Sequence, residues 1–174
     1  MKFKKILLRN IGAYYGQNNE LDFSTSSEQN VILIGGKNGA GKTTLLESIR
    51  VALFGCISYG FMTENEAYFN KIQSLFNRKA RKEHNSHYQI ILDYESVENF
   101  LPVHYTISRV WNLKGTKINE TFSVKRDGRL LDERETDNYQ NRLREEIPLA
   151  YLSYVYLMAK KSHALFPMDV YLNI

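Results

Sequence analysis

The chain has 174 residues, 43% of them hydrophobic, with a net charge of +4 and a pI near 9.0. That is room for one domain with a proper core, or a domain plus a small subdomain, and no apolar run reaches the roughly 20 residues that span a membrane. A single cysteine, Cys56, excludes an internal disulfide and suits a reducing cytoplasm; the mildly basic balance permits a nucleic-acid partner without establishing one.

The basic start Met1-Lys2-Phe3-Lys4-Lys5-Ile6 has no uninterrupted apolar stretch behind it, so no signal peptide is expected. Residues 2–9 alternate and read as a strand. Asn10-Ile11-Gly12-Ala13-Tyr14-Tyr15-Gly16 reads as a turn, and Glu20-Leu21-Asp22-Phe23 as a short returning strand. A polar loop over 24–29 leads to Asn30-Val31-Ile32-Leu33-Ile34, a β-branched run with the look of a buried strand.

Residues 35–44 then read GGKNGAGKTT. Gly36, Gly41, Lys42 and Thr43 satisfy the phosphate-loop pattern GxxxxGK[ST] between a strand and a helix, which is the order its chemistry needs. Glycines let the backbone curl so that successive N–H groups point at a β-phosphate, and the helix N-terminus adds partial positive charge. Lys42 is positioned to reach the β- and γ-phosphates, and Thr43 to put its hydroxyl on Mg²⁺. The alternative is a glycine-rich turn before an ordinary helix. A dinucleotide-binding GxGxxG is excluded because Gly39-Ala40-Gly41 runs into Lys42, Thr43 and Thr44. The expected ligands are therefore ATP and Mg²⁺.

The helix from Lys42 should end at Gly55. Residues 59–85 read as a helix and a basic loop, with four cations among Arg78-Lys79-Ala80-Arg81-Lys82 that suit either phosphate contacts or plain solvation. Strands are expected over 88–94, 103–111 and 121–126, the last ending at the hairpin signal Asp127-Gly128, in an antiparallel sheet with one wet face. Residues 133–147 carry Tyr139, Leu143 and Ile147 at fourfold spacing, an amphipathic helix stopped by Pro148. Asp93 ends the apolar run Ile90-Ile91-Leu92 and so resembles a magnesium-holding acid; antiparallel neighbours favour an ordinary strand aspartate. His84, His87, His104 and His163 have no metal-ligand spacing with Cys56, so no metal beyond nucleotide-bound Mg²⁺ is expected.

With the opening Leu8-Arg9-Asn10-Ile11, the GGKNGAGKTT loop and the helix end Ile49-Arg50-Val51-Ala52-Leu53-Phe54-Gly55, the N-terminal half resembles the ATPase heads of the SMC-like family, ABC-type members of the phosphate-loop (AAA-type) NTPases. Gly12-Ala13-Tyr14-Tyr15-Gly16, Leu21-Asp22-Phe23 and Ile107-Ser108-Arg109-Val110-Trp111 resemble the ATPase subunit of the Dnd DNA sulfur-modification (phosphorothioation) branch. The resemblance implies an α/β P-loop NTPase N-terminal lobe, an ABC/SMC-like head, with a small antiparallel β-subdomain. It also implies that Arg9 and Asn10 lie near the nucleotide, that Asn38 lies near the γ-phosphate, and that Gly36, Gly39, Ala40, Gly41, Lys42, Thr43 and Thr44 complete the nucleotide site. It implies ATP hydrolysis coupled to DNA sulfur modification, restriction or double-strand break repair, with other subunits as partners and a head-to-head dimer in the complete protein. No membrane partner is expected.

The signature motif, acidic Mg²⁺/water motif and switch histidine of such heads belong to a C-terminal part and have no counterpart here, so 1–157 reads as an N-terminal lobe alone. Where the family carries F-D-G-E-K-I, the chain has Tyr156-Leu157-Met158-Ala159-Lys160-Lys161-Ser162-His163-Ala164. Written as codons and shifted by one base, Met158 onward can read D-G-E-K-I-T-R. That points to an out-of-frame tail over 158–174, an apolar C-terminal helix over 151–174 being the alternative. A self-contained small kinase using Asp93, and a non-catalytic remnant, remain as other readings of the whole.

Overall fold

The computed structural model describes residues 1–17, 19–25, 31–147 and 170–173. In chain order the strands and helices are β1 (Lys2–Arg9), β2 (Asn19–Asp22), β3 (Val31–Ile34), α1 (Lys42–Phe54), α2 (Glu66–Leu75), α3 (Arg78–Lys82), β4 (His87–Glu98), β5 (Leu101–Lys114), β6 (Lys117–Arg126), β7 (Arg129–Leu130), α4 (Glu133–Glu146) and β8 (Val170–Asn173), with a 3-10 turn at Gly55–Tyr59 after α1. Six strands form one sheet in the order β2-β1-β4-β5-β6-β7, every neighbouring pair antiparallel. The period-2 pattern builds it: Tyr88, Ile90, Leu92 and Tyr94 of β4 and Val103, Tyr105, Ile107 and Trp111 of β5 point into the core.

The expected three-stranded subdomain is thus wider than anticipated, because β1 pairs with β4 (Ile6 opposite Leu92, Leu8 opposite Ile90) and brings β2 with it. Both β4 and β5 also run past the expected ends, to a turn at Asn99 and Phe100. Phe100 takes a φ of 66° that aromatic residues seldom adopt, and nothing in its side chain announces a turn. The hairpin at Asp127-Gly128 is the one anticipated, both residues having positive φ.

α1 spans Lys42–Phe54, the expected range, and packs Leu45, Ile49, Ala52 and Leu53 into the core against the sheet. Each such side chain contributes about 1.5–3 kcal/mol on burial. Its far end is held by an ion pair. Arg109 and Glu120, 4% and 1% exposed, meet at 2.5 Å inside the core. Arg109 Nε also donates to the last-turn carbonyl of Ala52 at 3.0 Å, while Glu120 accepts from Trp111 Nε1 at 2.7 Å and Tyr68 Oη at 2.5 Å. Burial, reinforced by Glu120, raises the pKa of the Tyr68 phenol, so its proton stays on this network. The guanidinium lies 4.0 Å over the Phe122 ring. It comes so close to Gly55 that a Cβ there would sit 2.7 Å from Arg109 Nη1, so only glycine can end α1 here.

The basic loop anticipated after α2 is itself a short helix. Asn77 starts α3 by accepting the Ala80 N–H at 2.9 Å, a cap that a run of cations conceals from periodicity. α4 starts with a capping box between Asp132 and Glu135, and the fork of Arg129 on Glu135 holds that carboxyl down to about 2. It docks through Tyr139 and Leu143, with Tyr94 Oη donating to Tyr139 Oη at 2.8 Å. The expected stop at Pro148 and most of the tail, 151–169, lie outside the described residues. Of the tail, β8 is extended rather than helical and pairs antiparallel with β3.

Replacing Arg109 by methionine should strand Glu120 as a buried unpaired charge. The expected loss of unfolding free energy is about 3–5 kcal/mol, read by urea denaturation through Trp111 fluorescence. Arg109→Lys should recover only part of it, since one ammonium cannot serve both Glu120 and the Ala52 carbonyl as the guanidinium fork does. A Met variant as stable as the wild type would show that the pair does not hold α1.

Candidate functional site

β3 ends at Ile34 and α1 begins at Lys42, so the glycine-rich segment spans the gap between a strand and a helix. Gly41 adopts a φ of 101° at the helix start, where no side chain caps the first turn and no acidic residue sits in it. The leading N–H groups and the positive end of the helix dipole are therefore unanswered by the protein's own side chains. They border a cavity of about 270 Å³ lined by Gly12, Ala13, Gly39, Gly41, Lys42, Thr43 and Thr44.

Two close approaches shape this cavity. The turn after β1 lies against the start of α1: a Cβ on Gly12, at φ 51°, would fall 2.3 Å from Thr44 Cγ2. A Cβ on Gly41 would meet the Tyr14 ring at 3.0 Å and Ala13 Cβ at 3.1 Å, and Tyr14 Oη donates to the Gly41 carbonyl at 3.4 Å. Burial pushes the Tyr14 phenol up, keeping it a donor. Inside the loop, Ala40 N donates to Lys37 O at 3.0 Å, and a Cβ on Gly36 would touch Ala40 Cβ at 3.2 Å. The Lys42 ammonium is folded back on its own loop, donating to the carbonyls of Gly36 and, at 3.3 Å, Lys37.

Of the residues anticipated from sequence, Gly39, Gly41, Lys42, Thr43 and Thr44 come together around the cavity. Gly36, Asn38 and Ala40 are exposed in the loop above it. Arg9 and Asn10 are not among its lining residues. Asn10 is buried at φ 59°, donates through Nδ2 to His87 O at 3.0 Å and accepts from Gly16 N at 3.0 Å, so its side chain braces the turn. Arg9 is half-buried at the end of β1, and its Nε has no partner among the described residues. Gly12 and Ala13 line the site although sequence reading made them only a turn; a small Gly-Ala pair just before two tyrosines, so soon after a strand, is the available signal.

Asp93 pairs with Lys5 of β1 and Thr106 of β5, both antiparallel, on the sheet face opposite Leu92. It does not end a parallel strand beside Thr43. Among the described residues no group of three or more His, Cys, Asp or Glu could hold a metal, and no helix is long and apolar enough to cross a membrane.

With strand, loop, helix and cavity in this arrangement, the comparison with known proteins is specific: residues 5–172 match the AAA domain family. The chain belongs to that family of AAA-type ATPases, and its mixed α/β fold fits a phosphate-loop NTPase. It is also similar to the "Retron Vc95 probable ATPase" of Vibrio cholerae serotype O1 biovar El Tor, 54% identical over 50 residues. That stretch is 28% of this chain and 10% of the relative, so the chain spans a small part of that protein's length.

Gly12→Ala should force the turn and α1 apart. The left-handed φ and the overlap with Thr44 together predict a loss of about 2–4 kcal/mol in urea unfolding. Gly12→Ala combined with Thr44→Ala removes the Cγ2 and Oγ1 overlaps and should recover part of that loss. Equal losses in the single and double variants would mean that the clash does not set the fit.

Proposed function

We propose that the cavity binds ATP with Mg²⁺. The observation that carries the reading is the uncapped start of α1 facing a cavity beside a lysine whose only partners among the described residues are carbonyls of its own loop. The N–H groups of Gly39, Ala40, Gly41, Lys42 and Thr43 surround the β-phosphate, with Thr44 behind them. Lys42 leaves the Gly36 and Lys37 carbonyls for the β- and γ-phosphate oxygens, a stronger, charge-assisted set of acceptors. Gly36 permits the loop's close turn, and Asn38 lies over the γ-phosphate. Thr43 offers its hydroxyl to Mg²⁺; the ion, when bound, neutralises charge shared between the β- and γ-phosphates. Arg9 and Asn10 contribute from behind the Gly12 turn, Asn10 by bracing it.

Residues 1–157 act in this reading as the N-terminal lobe of an SMC-like ATPase head. The complete protein couples ATP to DNA processing such as sulfur modification, restriction or break repair, in the cytoplasm, with further subunits and a head-to-head dimer. The antiparallel setting of Asp93 supports this over a self-contained kinase, which needs an acid beside the magnesium. The segment 158–174 is proposed to be out of frame, although the family match continues to residue 172; the genomic nucleotide sequence tests this.

Lys42→Ala removes charge-assisted contacts worth about 1.5–3 kcal/mol and should weaken ATP at least about tenfold in calorimetry. Equal affinity for wild type and variant would sink the assignment.

Turnover is a separate matter. Among the described residues no acidic side chain lines the cavity to hold an attacking water. Loss of one preorganised catalytic group typically lowers rates on the order of a hundredfold or more. The 174-residue chain should therefore release phosphate only at background rate. Steady hydrolysis abolished by both Lys42→Ala and Asp93→Asn would give Asp93 the role denied to it here.

A further inference from the structure

The elbow between α2 and α3 carries charge that the fold leaves unused. Residues 71–86 hold Lys71, Arg78, Lys79, Arg81 and Lys82 against a single acid, Glu83. That acid is already engaged: it accepts from Tyr15 Oη at 2.5 Å and lies 3.9 Å from Lys79 Nζ. Arg78, Arg81 and Lys82 are exposed, and none forms an ion pair among the described residues. Their spacing sets like charges at i,i+3 and i,i+4, which works against the helix. Beside them, the end of the β5–β6 hairpin puts Lys114 directly opposite Lys117, a second like-charge pair that opposes folding. Arg81 of α3 and Gly115 at the hairpin end line one depression of about 350 Å³, together with Gln73, Asn85, Tyr88 and Leu113 among others. Leu113 N donates to Ser86 O at 2.9 Å and ties the hairpin to the elbow.

Two repulsive arrangements flanking one concavity of mixed polarity are both relieved by a polyanion that neutralises them. We infer that this face docks the phosphate backbone of duplex DNA. The inference rests on, and deepens, the DNA part of the proposed function. Cations supply the attraction, and Gln73, Asn85 and Ser86 can donate to phosphate or sugar oxygens. Single-strand binders add aromatic platforms for bases. Here the aromatics are already engaged. Tyr15, exposed near α3, has Lys79 over its ring at 4.1 Å and its hydroxyl on Glu83. Tyr88 in the depression is buried and stacked on Phe76, which favours a duplex over a single strand.

The test is fluorescence anisotropy of the full chain with a labelled mixed-sequence duplex of about 20 base pairs, titrated across salt. Arg81→Glu/Lys82→Glu should weaken binding at least about tenfold and flatten the log–log salt dependence by about 2, near 0.9 per cation lost. Lys125→Glu/Arg134→Glu, which makes the same change in net charge at exposed sites elsewhere, should bind as the wild type does. Calorimetry with ATP separates this inference from the nucleotide reading. An α3 variant that keeps wild-type ATP affinity but loses the duplex is the expected result. Lys42→Ala tests ATP binding without touching α3. No measurable duplex binding by the wild type, equal binding by the α3 variant, equal weakening in the control, or tighter binding of a single strand or of polyglutamate would each overturn the docking surface.

Discussion

The helix that carries the phosphate loop is anchored at its far end, where Arg109 and Glu120 are buried together. An ion pair in a core is a poor source of net stability, because two desolvated charges must first be compensated. Its worth here lies in geometry. The guanidinium fork fixes two directions at once, one to Glu120 and one to the Ala52 carbonyl, while Trp111 and Tyr68 both donate to the other carboxylate oxygen. A helix of 13 residues is about 20 Å of rigid rod, so fixing the last turn against β5 and β6 fixes the line along which the first turn emerges.

The first turn is gripped by a different device. No charge is involved; two glycines lacking side chains let the Gly12–Tyr14 turn close on Gly41 and Thr44 to distances that a Cβ would forbid. Because β1 is zipped to β4, and β4 to β5, the turn and the Arg109 clamp belong to the same antiparallel sheet. One sheet holds both ends of one helix. This explains why β1 and β4 must be partners although about 80 residues separate them in sequence, a closure whose entropy grows only slowly with length.

What the sequence reveals and what it hides divides along this line. The loop, α1 and the inward faces of β4 and β5 follow from local pattern: GKTT after a β-branched run, apolar residues at helical spacing, aromatics at period two. Strand partnership does not, because pairing β1 with β4 depends on which faces meet in space, and alternation is blind to that. Arg109 lies between the two cases. In Ile107-Ser108-Arg109-Val110-Trp111 it occupies the inward phase, and a charge at an inward position announces a buried partner. The identity of that partner, Glu120, is fixed only by the β5–β6 register. α3 was hidden for another reason: five residues are too few to display a helical period, and only the Asn77 cap marks them. Asn10 is a further case, a polar residue beside the cavity whose hydrogen bonds go to the backbone around it, a placement that only the fold reveals.

The elbow and the phosphate loop are not independent surfaces. Asn77 N donates to Asn10 O at 2.8 Å, Asn77 Nδ2 to Gly12 O at 2.7 Å, and Gly12 N to Leu75 O at 2.7 Å. The residue that caps α3 thus also holds the carbonyl of the glycine that lines the cavity. A ligand drawing α3 outward loads the Gly12 turn, and a ligand filling the cavity loads Asn77 from the other side. If both sites are filled as proposed, linkage requires each ligand to change the other's affinity by the same factor.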